Sequence, residues 1–217
     1  MTADTNNHLT HHLSVAIGSV VVAALLWLAG YEDQRVVAAV PFFILFVVMC
    51  IGPTVQIWPS VRRWVSGNFP VNWRSELGIW FAIWSVIHVL FVFWARDWDV
   101  VGYLVDMSPW AFGALVAVII AVVLAFTSNN RAYDFLGAKA WKWHQSHGTY
   151  VIFWLVAVHG YDRAYLRPYE EVGFPSDDPI HLVYLLMIVI VVVLHVVAFA
   201  TVVSHYRKTG EYPPGLK

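Results

Sequence analysis

Residues 136–161 read LGAKAWKWHQSHGTYVIFWLVAVHGY. The second half is apolar enough to enter a bilayer, yet the segment carries His144, His147 and His159. An imidazole inside a membrane helix is costly and turns toward a partner within the bundle. The rest of the chain is read from this segment outward, by asking what such histidines could face.

The composition sets the class. The chain is 59% hydrophobic and only 12% charged, outside the range of soluble domains. The apolar residues fall in blocks long enough to cross a hydrocarbon core of about 30 Å. The pattern predicts an all-α integral membrane protein: a six-transmembrane-helix bundle with spans near 13–30, 36–58, 77–96, 108–127, 144–163 and 180–204. Residues 1–12 read as a polar tail, 13–205 as the membrane domain and 206–217 as a second tail. The first twelve residues lack Lys and Arg, so no signal peptide is expected. Cys50 is the only cysteine, which excludes an intrachain disulfide or a multi-cysteine cluster. A net charge of −1 with no basic patch gives no reason to expect nucleic acid.

Charge predicts the orientation. One side of a six-span bundle would carry Arg62, Arg63, Arg74, Arg131, Lys139, Lys142, Arg207, Lys208 and Lys217; the other would carry Arg35, Arg96, Arg163 and Arg167. That asymmetry places both termini in the cytoplasm, in the plasma (inner) membrane. The opposite side collects the acids of two loops, Asp97–Met107 and Asp162–Pro179. Trp58, Trp94, Trp98, Trp110, Trp141 and Trp143 sit near span ends, where aromatic belts form.

His88 lies in LGIWFAIWSVIHVLFVFW (77–94), with no charged residue within seven positions. It is about 12 Å from the span end near Arg96, and His159 is about 6 Å from Arg163, at 1.5 Å per residue. Both spans run from inside to outside, so the two imidazoles reach similar depth in the outer half. Two histidines on different helices at one depth can ligate a single haem iron axially. They could equally be core histidines bonded to a hydroxyl or a backbone carbonyl.

The inner half stays open. His147 precedes His159 by twelve residues, about 120° of rotation on an ideal helix, and His144 by fifteen, about 60°. His195, in VIVVVLHVVAFA (189–200), is either an inner ligand or a satisfied core histidine. His181 reads as interfacial; His205, His8, His11 and His12 read as solvent-exposed. Glu76 reads as an acid in a first helical turn, favoured by the helix dipole, and no chain of further acids crosses the bilayer to suggest a proton channel.

Taken together, Arg74, Leu77-Gly78, His88, Ala125-Phe126-Thr127-Ser128, Leu136-Gly137, Trp141-Lys142-Trp143, His147, Tyr150 and His159-Gly160 form a pattern over about 36–163. In this the chain resembles the ferric-reductase-like transmembrane family, most nearly the haem-binding membrane subunits of bacterial periplasmic methionine-sulfoxide reductase systems. The resemblance implies a six-helix cytochrome with haem b on His88 and His159. It departs from the family at the inner site. The family's histidine thirteen before His159 is Ser146 here, with His147 displaced by one, and the second third-span histidine of two-haem relatives is Arg74. A second haem would need His147 or His144 with His195, and Arg74 could pair with a haem propionate or a lipid head group.

No GxGxxG and no flavin or nicotinamide domain is recognisable. The expected function is therefore an oxidoreductase electron-transfer subunit fed by a separate donor: a quinone-pool quinol, FMN or FAD at the cytoplasmic side, or a reductase. The acceptor would be an outer partner reductase or ferric iron. The contrasting expectation is a haem-free membrane transporter or assembly subunit; the broken helices and repeated halves common in transporters are not apparent.

Overall fold

A computed structural model describes residues 5–58, 73–166 and 178–212, and every regular element among them is helical. The helices are α1 (Thr5–Leu28), α2 (Asp33–Ile57), α3 (Arg74–Trp94), α4 (Val100–Val105), α5 (Pro109–Phe126), α6 (Asn130–Leu136), α7 (Ala138–Tyr161) and α8 (Pro179–Thr209), with a π-helical turn, Asp162–Leu166, continuing from α7. Most of the stretch between the expected second and third spans, and most of the expected Asp162–Pro179 loop, fall outside the described residues.

The chain is a helical membrane protein. Five helices are long and apolar enough to cross a bilayer: Leu9–Leu28, Asp33–Ile57, Arg74–Trp94, Pro109–Phe126 and Pro179–Thr209. Large apolar side chains such as Leu25, Trp27, Ile119, Phe126, Val193 and Phe199 are exposed. That is stable only where the surrounding solvent is lipid, which leaves each helix to satisfy its own backbone. α7 was expected as the fifth of the six spans and falls short on composition, because its first half carries Lys139, Lys142, His144, Gln145 and His147.

Local chemistry explains the helix ends. Ser108 caps α5 by accepting from the Ala111 N–H at 3.2 Å, with Pro109 in the first turn. Asp178 caps α8 in the same way, ahead of Pro179. The interhelical stretches read as loops hold short helices: Asp99 caps α4 at 2.9 Å, and Asn129 caps α6 through the Ala132 N–H at 3.0 Å. Helix α1 starts at Thr5 rather than at residue 13, so its first two turns lie in the stretch read as a tail. Helix α2 continues through Pro41 and Pro53, which membrane helices tolerate when packing compensates the missing donors.

Packing divides the chain into two compact units. The first holds Met1–Leu45 and Ser75–Ser176; the second holds Phe46–Arg74 and Asp177–Lys217. In the first, the dominant contact is α5 against α7. In the second, the Arg74 guanidinium lies 4.0 Å from where a side chain on Gly52 would begin.

Gly137 separates α6 from α7 at φ 76 and ψ 152, a conformation open essentially to glycine alone. Gly137→Ala is expected to cost about 1–3 kcal/mol and to lower the melting temperature in detergent by several degrees. An unchanged melting temperature would show that this corner relaxes without strain.

Candidate functional site

The site is built on α3 and α7, both in the first unit. The seam between α5 and α7 fixes how α7 is turned. Trp141 Nε1 donates to the Thr127 carbonyl at 2.8 Å, and the Gln145 amide donates to the Leu124 carbonyl and to Thr127 Oγ1, each at 3.1 Å. One turn further on, Gly148 faces Leu124 so closely that a Cβ would sit 2.9 Å from its methyl carbon. Leu155 then meets Gly113 of α5, where a Cβ would stand at 3.4 Å. Trp141, Gln145, Gly148, Ile152 and Leu155 thus form one helix face, and small residues on both partners bring the backbones close, as lipid-embedded helices require.

This rotation sorts the histidines of α7. His159 stands one turn beyond Leu155 and is half-buried. His147 lies on the exposed stripe that includes Trp143, Val151, Trp154 and Val158. Its ring stacks on Trp143 at 4.7 Å and 24°, and its Nδ1 lies 2.9 Å from the Trp143 carbonyl. His144 is half-buried. The roughly 120° between His147 and His159 on an ideal helix is therefore realised as different surroundings for the two rings.

His88, on α3, is the residue that His159 approaches. The charges that His159 and Arg163 would carry both act on His88. The His88 Nδ1 is enclosed and has no hydrogen-bond partner among the described residues. A buried ring nitrogen without a partner is uncommon in a native core and calls for a ligand or a bound group. The Nε1 atoms of Trp80 and Trp84, on the same helix one and two turns earlier, are in the same position.

The remaining candidates lie elsewhere. His195 is on α8, in the second unit, with Nδ1 2.8 Å from the Val191 carbonyl. If that contact fixes the proton on Nδ1, the lone pair is on Nε2, the form in which histidine binds metals. Arg74 begins α3 and belongs with Gly52 in the second unit. His181 has its Nδ1 enclosed near the start of α8, with its ring 6.3 Å from Tyr184.

Two features escaped the reading of the sequence. The first is Arg163, read as a topological charge and as the span end near His159 but given no role at the site. It follows His159 by four residues, one helical turn, which is the signal that could have tied it to the histidine. It sits in the π-helical turn, where Asp162 and Ala164 are buried; such turns are frequent at functional sites. The second is His11, read as solvent-exposed. Its Nδ1 lies 3.8 Å from Glu76 Oε1, and the Glu76 side chain is only 1% exposed. His8, His11 and His12 fall at i, i+3 and i+4, the spacing of one helix face. That pattern could have shown that the tail is helical.

Among the described residues no group of three or more His, Cys, Asp or Glu side chains converges on a point that could hold a metal ion. A bare ion in a protein needs three or four ligands from the chain. A pair of histidines suffices only if a macrocycle supplies the rest, so the donor set at His88 and His159 fits haem better than a free metal.

No family model matches the chain. A stretch of 93 residues is 36% identical to the magnetosome protein MamZ of Paramagnetospirillum magneticum (strain AMB-1). The match covers 41% of this chain and 14% of that protein.

The seam is testable. Gly148→Leu must push a branched side chain into Leu124 and is expected to cost about 1–3 kcal/mol. Gln145→Leu removes two hydrogen bonds and is expected to cost about 1 kcal/mol. Thermal melts in mild detergent would check both; a Gly148→Leu melt matching wild type would mean that the seam does not hold α7 in place.

Proposed function

We propose that this protein is a ferric-reductase-like membrane cytochrome that relays electrons across the plasma membrane. The supporting observation is the juxtaposition of His88 and His159 on α3 and α7, with a buried His88 ring nitrogen that no described residue satisfies. In this reading the two imidazoles hold haem b, whose iron carries one electron at a time between its ferric and ferrous forms. The chain's contribution is to fix both rings by helix packing, exclude water and supply a nearby cation. Arg163, whose charge reaches His88, is placed to offset a propionate of the bound group.

The topology belongs to the same proposal. The His11–Glu76 contact puts the beginnings of α1 and α3 at one end of the first unit. This agrees with an orientation in which both helices leave the cytoplasm and His88 and His159 lie toward the outer side. α7 then crosses as the fifth of six spans, with its polar first half at the inner boundary. Both termini are then cytoplasmic, in keeping with the Lys and Arg asymmetry. A second haem would draw a ligand from His195 of α8.

The donor is a quinol, a flavin (FMN or FAD) or a separate reductase. The acceptor is an outer reductase partner or ferric iron. Arg131, Lys139 and Lys142 are exposed and would meet an anionic donor at the inner face. Arg62 and Arg63, and most of the acidic Asp162–Pro179 stretch offered to the acceptor, lie outside the described residues.

Reduced-minus-oxidised spectra with a pyridine haemochrome count test this reading. The wild type is expected to give a b-type spectrum that His88→Ala and His159→Ala abolish. A count near two that falls by one in His195→Ala would assign an inner haem to α8. A wild type without haem, expressed with ample haem supply, would overturn the proposal and favour a haem-free transporter or assembly subunit.

A further inference from the structure

The end of the first unit opposite His88 holds a second buried cluster. Glu76 lies in the first turn of α3, almost fully enclosed, within an otherwise apolar span. Its Oε2 accepts from Ser75 Oγ at 2.7 Å, and its Oε1 faces His11 Nδ1 at 3.8 Å. A carboxylate removed from water at the edge of a bilayer is costly unless paired, and here it faces the His11 imidazole. His11 keeps 19% of its side chain exposed, so the pair has a way out to its surroundings.

One turn beyond Glu76 stands Trp80, with a buried indole N–H that has no acceptor among the described residues. An acid–imidazole pair that takes a proton, with an N–H donor one helical turn further along α3, matches a ligand oxygen that donates one hydrogen bond and accepts another. A hydroxyl on an aromatic ring does both before oxidation, and the carbonyl left afterwards still accepts the indole N–H. The location selects a molecule dissolved in lipid, because His11 and Glu76 both lie where apolar helices begin. A flavin phosphate, being anionic, would be repelled by the Glu76 carboxylate.

We propose that His11, Glu76 and Trp80 form the site where a lipid-dissolved hydroquinone binds and is oxidised. This rests on the electron-relay reading above and selects one of its donors. The hydroquinone loses two electrons and two protons to become the quinone. Each proton passes from a ring hydroxyl to the His11–Glu76 pair and then to water on the side where α1 and α3 begin. The electrons leave one at a time toward the His88–His159 end, where each reduces a ferric haem iron to ferrous. Glu76, Trp80, Trp84 and His88 follow one another at four-residue intervals, each step rising about 6 Å and turning about 40°. From Glu76 to His88 the row rises roughly 18 Å and winds about 120° around α3.

The test uses the full chain in lipid nanodiscs, reduced under anaerobic conditions by decylubiquinol and followed in the haem α-band, with dithionite giving the total reducible haem. Glu76→Gln keeps shape and removes the base; it is expected to slow reduction by decylubiquinol on the order of 100-fold, the scale of general-base catalysis, with unchanged dithionite-reducible haem. Trp80→Phe is expected to weaken decylubiquinone binding, measured by calorimetric titration, about fivefold, the loss of one hydrogen bond. His11→Asn is expected to follow Glu76→Gln, so the inference stays testable if one variant fails to fold. Haem that dithionite reduces but decylubiquinol does not, or rates and affinities unchanged in all three variants, would overturn the inference and leave the pair as a fastening between α1 and α3. A wild type with no dithionite-reducible haem would instead refute the electron-relay reading itself.

Discussion

The seam between α5 and α7 determines what the histidines can do. Helix α7 carries imidazoles at three positions, and an ideal helix cannot aim all of them at one neighbour. Gln145 and Trp141 reach the frayed carbonyls at the end of α5, and Gly148 lets Leu124 approach the α7 backbone. Those contacts fix the rotation of the helix. His159 falls where its charge would act on His88, while His147 is left on the outward stripe against Trp143. In lipid, where apolar side chains gain nothing by leaving the solvent, close backbone packing and a few polar anchors must do this sorting.

The second constraint is the cost of polar groups in a bilayer. The described part of α3 is apolar apart from its first turn, Ser85 and His88, yet its enclosed polar atoms follow one another along the helix. Glu76 is paired at one end, His88 stands at the other, and two indoles lie between. The proposed haem and hydroquinone sites account for opposite ends of this row, so one helix would carry the electron's route through the first unit.

Much of this was legible in the sequence, for identifiable reasons. A histidine alone in an apolar run is conspicuous, and His88 and His159 were singled out because insertion of each needs a partner. Rotation per residue already separated His147 from His159 before any packing was known. Helix boundaries were less legible. Asn129 and Asp99 are capping residues whose short helices carry too few apolar positions to show a period. The start of α1 is polar, and its His11 lies 3.8 Å from Glu76. The His11–Glu76 contact joins residues far apart in sequence, and no local pattern encodes it. The π-helical turn after His159 was equally hidden, since nothing in DRAYL distinguishes it from an ordinary helix end.

The central claim is that two imidazoles from α3 and α7 share one iron. Low-temperature electron paramagnetic resonance of the oxidised protein, with near-infrared magnetic circular dichroism on the same sample, reports the axial ligands of ferric haem directly. A low-spin ferric signal with the charge-transfer band of bis-imidazole ligation is the result predicted for His88 and His159. A high-spin signal, a band belonging to another ligand pair, or no haem signal at all would contradict it.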